Sequence, residues 1–600
     1  MGEFKPSKIR NFCITAHIDH GKTTLSTKLL EMSGTINKSK MNQLYLDKLR
    51  VEKERGITVK AQTATMFYEY DGETYLLNLI DTPGHVDFTY EVSRSMKACE
   101  GALLLVDAVK GVQAQSVANW WLAMQNNLTI IPAINKIDLT TAQPEKIVKQ
   151  LNTSLGFNPD QILKFSAVTG VGLESVFPSL VEMIPPPEDL SEGPFKALLF
   201  DSWYQDIFTG VICLIKIAGG KLKAGSKITA ASSGKAYEVL EVGIMFPEPV
   251  RTDALYTGQV GYIKIGMKTT KEARVGDTFY ETGKEVEPFP GFKQAKPMVF
   301  AGLYPDEDDD FNTLKDAVEK LTLTDASVTL ERDVNDVLGM GYRCGFLGLL
   351  HMDVFLQRLR EEYGVNVIAT APNVPIKLEI QGEEGLKEVT QASQWPEQHT
   401  IRESYEPIVS ATIFVPKEYL GAITQLCMDR RGVQTGVEFI DETRVHLSYI
   451  MPLSEVIFDF FDKLKSMTSG YATFDYEEAG TQPADLIKLN ILLNGVPADP
   501  LSVICHRSKA EPTGRKVVEK LKEVIRRQMF EIKIQAAIGN KIIARETVKA
   551  FRKDVTAKCY GGDITRKRKL LDKQKEGKKR MKSVGNVELT PEAFMVVTKI

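Results

Sequence analysis

This sequence is poor in cysteine, free of long apolar runs and nearly balanced in charge, and each shortage removes a class of protein. Its seven cysteines (Cys13, Cys99, Cys213, Cys344, Cys427, Cys505 and Cys559) are scattered, odd in number and nowhere spaced Cys-x-x-Cys. That pattern excludes a disulfide framework and a thiolate zinc site, and it reads as reduced core residues in a reducing compartment. The seven histidines show no metal-ligand spacing. No apolar stretch approaches the roughly 18 residues that cross a bilayer as a helix; Gly101 to Val106 and Phe346 to Leu350 have the length of buried strand or helix. Fifteen residues precede the loop that opens at Ala16, too few for a cleavable signal or targeting sequence, so none is expected ahead of the first strand. Met1-Gly2 does not open a myristoylation signal, because Pro6 stands where Ser or Thr is required.

What is present is ordinary globular material: 600 residues, 43% hydrophobic and 8% aromatic, enough for about four domains with several cores. The most informative segment is Ala16-His17-Ile18-Asp19-His20-Gly21-Lys22-Thr23, set between strand-like Phe12 to Thr15 and helix-like Thr24 to Leu30. A glycine-bearing loop from strand to helix turns backbone N–H groups inward at a helix N-terminus and makes an anion cradle. Lys22 then reaches the β- and γ-phosphates, and the Thr23 hydroxyl is placed for Mg²⁺. Ala16 departs from the usual pattern by standing at the first glycine position.

Three partner motifs follow in order. Asp81-Thr82-Pro83-Gly84-His85 ends the strand-like Tyr75 to Ile80. Its carboxylate suits the Mg²⁺ side through water, and Gly84 lets backbone approach a γ-phosphate. Thr129 to Ile134 leads into Asn135-Lys136-Ile137-Asp138, where an aspartate accepts from guanine N1–H and the exocyclic amine, donors that adenine does not pair in this way. Ser166-Ala167 then offers backbone to the guanine carbonyl. Four loops in this order specify a guanine-nucleotide site.

Composition divides the chain into five parts. Residues 1–187 alternate strands with amphipathic helices, as in a doubly wound α/β domain. Pro185-Pro186-Pro187 and the residues to Pro194 read as an extended linker. Residues 195–290 carry short β runs between glycine turns, the pattern of a small β-barrel. Residues 291–372 and 400–485 each read as a strand–helix α+β unit, without a clear sequence repeat between them. Residues 486–600 end in a basic stretch: Lys541 to Lys582 holds sixteen Lys or Arg against five Asp or Glu. That local excess of eleven leaves about −14 on the remainder of a chain whose net charge is −3. Two readings fit the stretch: a solvated lysine-rich helix, and an RNA-facing region in which Arg566, Lys567, Arg568, Lys569, Lys578, Lys579 and Arg580 meet phosphates.

AHIDHGKT, Glu54-Arg55-Gly56-Ile57-Thr58, DTPGH and NKID together resemble the translational GTPases. Gly345-Phe346-Leu347-Gly348-Leu349-Leu350-His351-Met352, Ser469 to Tyr476 (SGYATFDY) and Gln535 to Thr547 (QAAIGNKIIARET) resemble one branch, the LepA or elongation factor 4 family, and the likeness runs end to end. The short interval from Asp138 to Ser166 leaves no room for the insertion of elongation factor G. The resemblance implies a multidomain α/β and α+β fold: a P-loop GTPase domain, a β-barrel, two ferredoxin-like α+β domains and a family-specific basic C-terminal domain. It implies GTP as substrate, Mg²⁺ held by Thr23 and by Thr58 in the GTP state, and His85 orienting the attacking water. It implies the ribosome as partner, with its rRNA and tRNA-occupied states, and a monomeric factor acting by back-translocation on stalled or mistranslocated ribosomes, or alternatively in ribosome assembly. Residues 52–63, 200–204 and 296–305 look closer to the mitochondrial form, which implies a peripheral location on the matrix side of the inner membrane; a bacterial cytoplasmic factor is the alternative. A signalling GTPase should end near residue 190, and an RNA-binding protein without catalysis would not need four nucleotide motifs.

Overall fold

A computed structural model of the chain describes residues 4–36, 46–206, 210–267, 272–292, 296–306, 310–325, 327–335, 338–370, 372–383, 385–439, 444–457, 459–469 and 471–551, and beyond these residues 565, 568, 569, 571–575 and 593. The first domain is built on a six-stranded sheet in the order β2-β3-β1-β4-β5-β6. Its strands are β1 (Ile9–Ala16), β2 (Gln62–Tyr70), β3 (Glu73–Asp81), β4 (Gly101–Asp107), β5 (Thr129–Asn135) and β6 (Leu163–Lys164). Only the β2–β3 pair is antiparallel. β1 and β4 are buried along their whole length, as central parallel strands covered on both faces must be. Helices α1 (Lys22–Met32), α2 (Arg50–Arg55), α3 (Thr89–Met96), α4 (Ala114–Gln125), α5 (Pro144–Leu155) and α6 (Val176–Met183) connect them. α5 shows the local logic: Pro144 opens it, Ile147, Val148, Leu151 and Leu155 form its buried stripe, and Gly156 at φ 74° ends it. Strand order reverses direction at β1, so the loops leaving β1, β3 and β5 converge outside the carboxyl ends, where α/β sheets bind ligands.

An eight-stranded antiparallel sheet built from residues 196–281 follows. It packs on the first domain through one shared cluster, in which Cys13, Ile80, Val92 and Met96 meet Phe200, Ile212, Leu214 and Tyr262. Arg94 of α3 pairs across the joint with Asp201 at 3.2 Å.

Two α+β units come next, each with strand–helix–strand–strand–helix–strand order. The first runs Val299–Pro305, α7 (Phe311–Thr324), Thr329–Asn335, Gly339–Phe346, α8 (Leu349–Tyr363) and Val367–Ala369. The second runs Ile401–Pro416, a helix Leu420–Asp429, Val433–Phe439, Arg444–Pro452, short helices Leu453–Ile457 and Phe460–Met467, and Thr473–Pro483. In both, the first strand pairs with the third and fourth and the second lies at an edge, the ferredoxin-like arrangement. A hairpin of Ile376–Ile380 and Leu386–Val389 extends the second unit's sheet alongside Ile401–Pro416.

The last sheet combines Leu486–Leu493, Val496–Pro497, Val503–His506, Ile532–Ile538 and Lys541–Val548, covered by helix Ala510–Val524. The fold class is thus a P-loop α/β domain, a β-barrel, two ferredoxin-like domains and a C-terminal domain. The six described cysteines are free thiols, all buried except the half-buried Cys505. Among the described residues no helix is long and apolar enough to cross a membrane. Of the seven basic residues expected to face RNA, Arg568 and Lys569 are exposed on helical residues; Arg566, Lys567, Lys578, Lys579 and Arg580 lie outside the described residues.

Candidate active site

The phosphate loop leaves β1 at Ala16 and enters α1 at Lys22, with Asp19 at φ 64° and Gly21 at φ 90°. Left-handed backbone at residue 21 favours glycine, and space demands it: a Cβ there would lie 2.5 Å from Asn135 Nδ2. His17, Ile18, Asp19, Gly21, Lys22, Thr23, Asp47, Thr58, Gly84, His85 and Lys136 converge on one open cavity of about 340 Å³. Motifs more than 100 residues apart in the chain therefore share a site.

Buried acid gathers around Lys22, with Asp47 also lining the cavity. Asp47, Glu52 and Asp81 are each at most 2% exposed, and one buried cation, Lys22, stands among them. The Lys22 ammonium donates to the Thr82 carbonyl; burial pulls its pKa down while Asp81, Asp47 and Glu52 hold it up. Burial pushes the Asp81 carboxyl up to about 6, against the pull of Lys22. Neither Asp81 oxygen has a hydrogen-bond partner among the described residues. Burial also raises Asp47, whose carboxylate accepts from the Thr58 hydroxyl at 3.2 Å.

Buried carboxylates are paired or serve a metal. The hydroxyls of Thr23 and Thr58 lie 3.1 Å apart, and two neighbouring ligands of an octahedral Mg²⁺ at about 2.1 Å are about 3 Å apart. The two hydroxyls, with Asp47 accepting from Thr58 and Asp81 in the same buried cluster around Lys22, therefore fit a small divalent cation that keeps several waters. Among the described residues no group of three or more His, Cys, Asp or Glu is placed to hold a metal ion.

Glu52 fixes the segment that delivers Thr58. One of its oxygens accepts from Val59 N at 2.9 Å and Lys60 N at 3.1 Å, the other from Leu49 N at 2.9 Å. Asp47 and Glu52 were not identified from sequence. Glu52 had a signal, an acidic residue in the first turn of a short charged helix closed by Gly56; Asp47 had none, since only folding places it beside Lys22.

On the base side, Asn135 is a strut: its Nδ2 donates to the His20 carbonyl at 2.9 Å and its Oδ1 accepts from Ala167 N at 2.9 Å. It ties the phosphate loop to the Ser166–Ala167 loop, both buried. Lys136, at φ 67°, donates to the Asp19 carbonyl and pairs with Asp107 at 2.9 Å. Ile137 donates to the Phe165 carbonyl, and Asp138 is exposed and does not line the cavity. His20 does not line the cavity: it is fully buried, and its ring turns under the loop with Nδ1 donating to the Leu105 carbonyl at 3.2 Å. Burial pushes that imidazole down to about 4, so it is neutral near pH 7.

Gly84 passes close to the phosphate loop, where a Cβ would sit 3.2 Å from the Ala16 carbonyl oxygen. His85 follows at the cavity edge with Nδ1 accepting from Asp87 N at 3.1 Å. Pro83, Gly84 and His85 also line a second cavity of about 350 Å³, with Trp121, Met298 and Asp475.

Comparison with known proteins finds relatives along the whole chain. Residues 7–186 match the elongation factor Tu GTP binding domain, 210–280 elongation factor Tu domain 2, 403–492 the elongation factor G C-terminus, and 493–599 the GTP-binding protein LepA C-terminus. The chain is 57% identical to the translation factor GUF1 homolog, mitochondrial, of Arabidopsis thaliana, covering 100% of this chain and 91% of that protein. It is 53% identical to the human translation factor GUF1, mitochondrial, over 100% and 90%. A solved protein of Thermus thermophilus shares the fold at a TM-score of 0.56 and 17% identity, over 80% of this chain and 97% of that one. A nucleotide site built from four loops, on a domain series that ends in the LepA C-terminus, identifies the chain as a member of the LepA/GUF1 family of translational GTPases.

Proposed function

We propose that this chain is a ribosome-dependent GTPase of the mitochondrial matrix, peripheral to the inner membrane, that uses Mg²⁺ and acts on stalled or mistranslocated ribosomes by back-translocation. The observation that carries the GTPase chemistry is the Thr23–Thr58 hydroxyl pair 3.1 Å apart, with Asp81 in the buried cluster around Lys22, one loop from His85. Mitochondrial names among close relatives support the compartment.

Hydrolysis needs phosphate charge neutralised and a water held in line. Thr23 and Thr58 would hold Mg²⁺ with Asp81 and Asp47 nearby, and the ion when bound would supply part of that neutralisation. Lys22 covers the β- and γ-phosphates from the loop. Asn135 holds the base-side loops at their spacing, and Asp138 reads guanine through its two donors. His85 orients the water. Because Nδ1 accepts from Asp87 N, Nε2 is the ring nitrogen left to face the water. A positioning group of this kind is effective only when placed, so intrinsic turnover is slow and ribosomal RNA completes the site.

The test is GTP turnover with and without purified mitochondrial ribosomes, with tRNA position followed by toeprinting. Strong stimulation and a one-codon backward shift are expected. Unstimulated turnover would remove the ribosome as partner, and stimulation without the shift would remove back-translocation.

A further inference from the structure

The segment Gly345 to Met352 marks the family but has no part in the nucleotide site as described so far. It leads into α8, whose N-terminus has no capping side chain of its own. The missing cap comes from another domain. Asp87, two residues after His85 and 7% exposed, places Oδ2 where it accepts from His351 N at 3.2 Å. A carboxylate at a helix N-terminus meets both an orphan N–H and the positive end of the helix dipole.

Gly348 exists for this contact. Its φ of −172° is extended backbone that any residue adopts. Yet a Cβ there would stand 2.2 Å from Asp87 Cγ and 2.3 Å from each carboxylate oxygen. The glycine is required by the closeness of Asp87, not by local conformation. His351 stiffens the same turn: its Nδ1 accepts from Leu347 N at 3.1 Å and its Nε2 donates to Asp325 at 2.9 Å.

The residue held in this seat also holds His85, since Asp87 N donates to His85 Nδ1. The next residue, Phe88, is buried with Val51, Val59 and Val354 of α8. On the same helix, Gln357 accepts from Arg55 at 2.7 Å and donates to Glu54 at 2.9 Å. One helix of the first ferredoxin-like domain thus touches the segment bearing His85 and the segment leading to Thr58.

We propose that Asp87 seated on the N-terminus of α8, against Gly348 and His351, is a latch through which the first ferredoxin-like domain positions His85 for GTP hydrolysis. This rests on the His85 reading above. Asp87 and Gly348 are positioning residues: losing the seat frees His85 without altering the nucleotide contacts. Misplacement of a reacting group by about 1 Å costs on the order of a hundredfold in rate.

The test uses the full chain with purified ribosomes and the variants H85A, D87A, G348A, D87A/G348A and H85A/D87A, with GTP affinity measured on each. D87A and G348A should each lower ribosome-stimulated kcat about tenfold to a hundredfold and leave GTP affinity within about twofold. D87A/G348A should be no slower than D87A, because both changes break one contact and the missing carboxylate makes room for the new methyl. H85A/D87A should match H85A. If G348A alone does not fold, the folded double variant carries the same comparison. Multiplying losses in D87A/G348A, a further loss in H85A/D87A, or unchanged kcat in D87A would overturn the latch. Slow H85A beside normal D87A overturns only the latch, whereas normal H85A overturns the His85 reading and the latch together.

Discussion

Replacing Glu52 with Gln changes few atoms and should separate GTP from GDP. The carboxylate is fully buried and accepts three backbone hydrogen bonds, from Leu49, Val59 and Lys60. A glutamine that keeps its oxygen toward Val59 and Lys60 turns its amide toward the Leu49 N–H, so donor faces donor. Hydrogen bonds to a charged acceptor contribute about 1.5–3 kcal/mol each, and a buried N–H left unmet costs about 1–3 kcal/mol. The arrangement that brings Thr58 to Thr23 should therefore weaken by about 2–4 kcal/mol. On the proposed reading Thr58 serves the metal only in the triphosphate state, so GTP affinity should fall about 30-fold to several hundredfold, at about 1.4 kcal/mol per decade. GDP affinity should stay within about threefold. Equilibrium titration with fluorescent GTP and GDP analogues at fixed Mg²⁺ measures both. Equal losses for the two nucleotides, or an unchanged GTP affinity, would refute the view that Glu52 acts by holding the Thr58 segment.

The remaining predictions concern base choice, acid behaviour and RNA contact. Asp138→Asn should move preference from GTP toward xanthosine triphosphate, because an acceptor becomes a donor opposite the exocyclic position; competition binding decides it, and retained GTP preference would sink the assignment. His20, held down at about 4 by burial against an ordinary 6.5, contributes stability that is complete above pH 6.5 and lost as pH falls toward 4. Paired chemical denaturation should find wild type losing about 3 kcal/mol relative to His20→Gln across that window, from about 1.4 kcal/mol per pKa unit; parallel curves would contradict the neutral buried ring. Neutralising Arg566, Lys567, Arg568, Lys569, Lys578, Lys579 and Arg580 to Gln should weaken ribosome association and flatten its salt dependence while GTP binding persists. An unchanged salt slope would return the stretch to a solvated helix.

Much of the fold was legible because its signals are local. Proline and glycine bound the elements, as at Pro144 and Gly156 around α5, and strand-to-loop transitions carried the nucleotide motifs. The apolar run Phe346 to Leu350, short enough for strand or helix, is divided: α8 begins only at Leu349, because residues 347 and 348 form the turn that seats Asp87. The site was legible where a motif places its own residues, as for Lys22, Asn135 and His85. It was opaque where chemistry comes from long-range convergence: Asp47 acquires meaning only beside Lys22, and Gly348 only beside Asp87. Sequence reading also left residues 373–399 without a place. Their hairpin alternates weakly and declares itself only by pairing with Ile401–Pro416. Motif membership likewise gave His20 no distinct part, yet its ring faces the core and its carbonyl accepts from Asn135, so it does not line the cavity.

The most direct test of the account is the ribosome-stimulated GTP turnover of His85→Ala at saturating ribosomes, with GTP affinity measured on the same preparation. A positioning group that acts only on the attacking water predicts turnover lowered on the order of tenfold to a thousandfold, with affinity within about twofold of wild type. Turnover at the wild-type level, or a loss confined to affinity, would contradict the assignment of hydrolysis to this histidine beside the Thr23–Thr58 metal site.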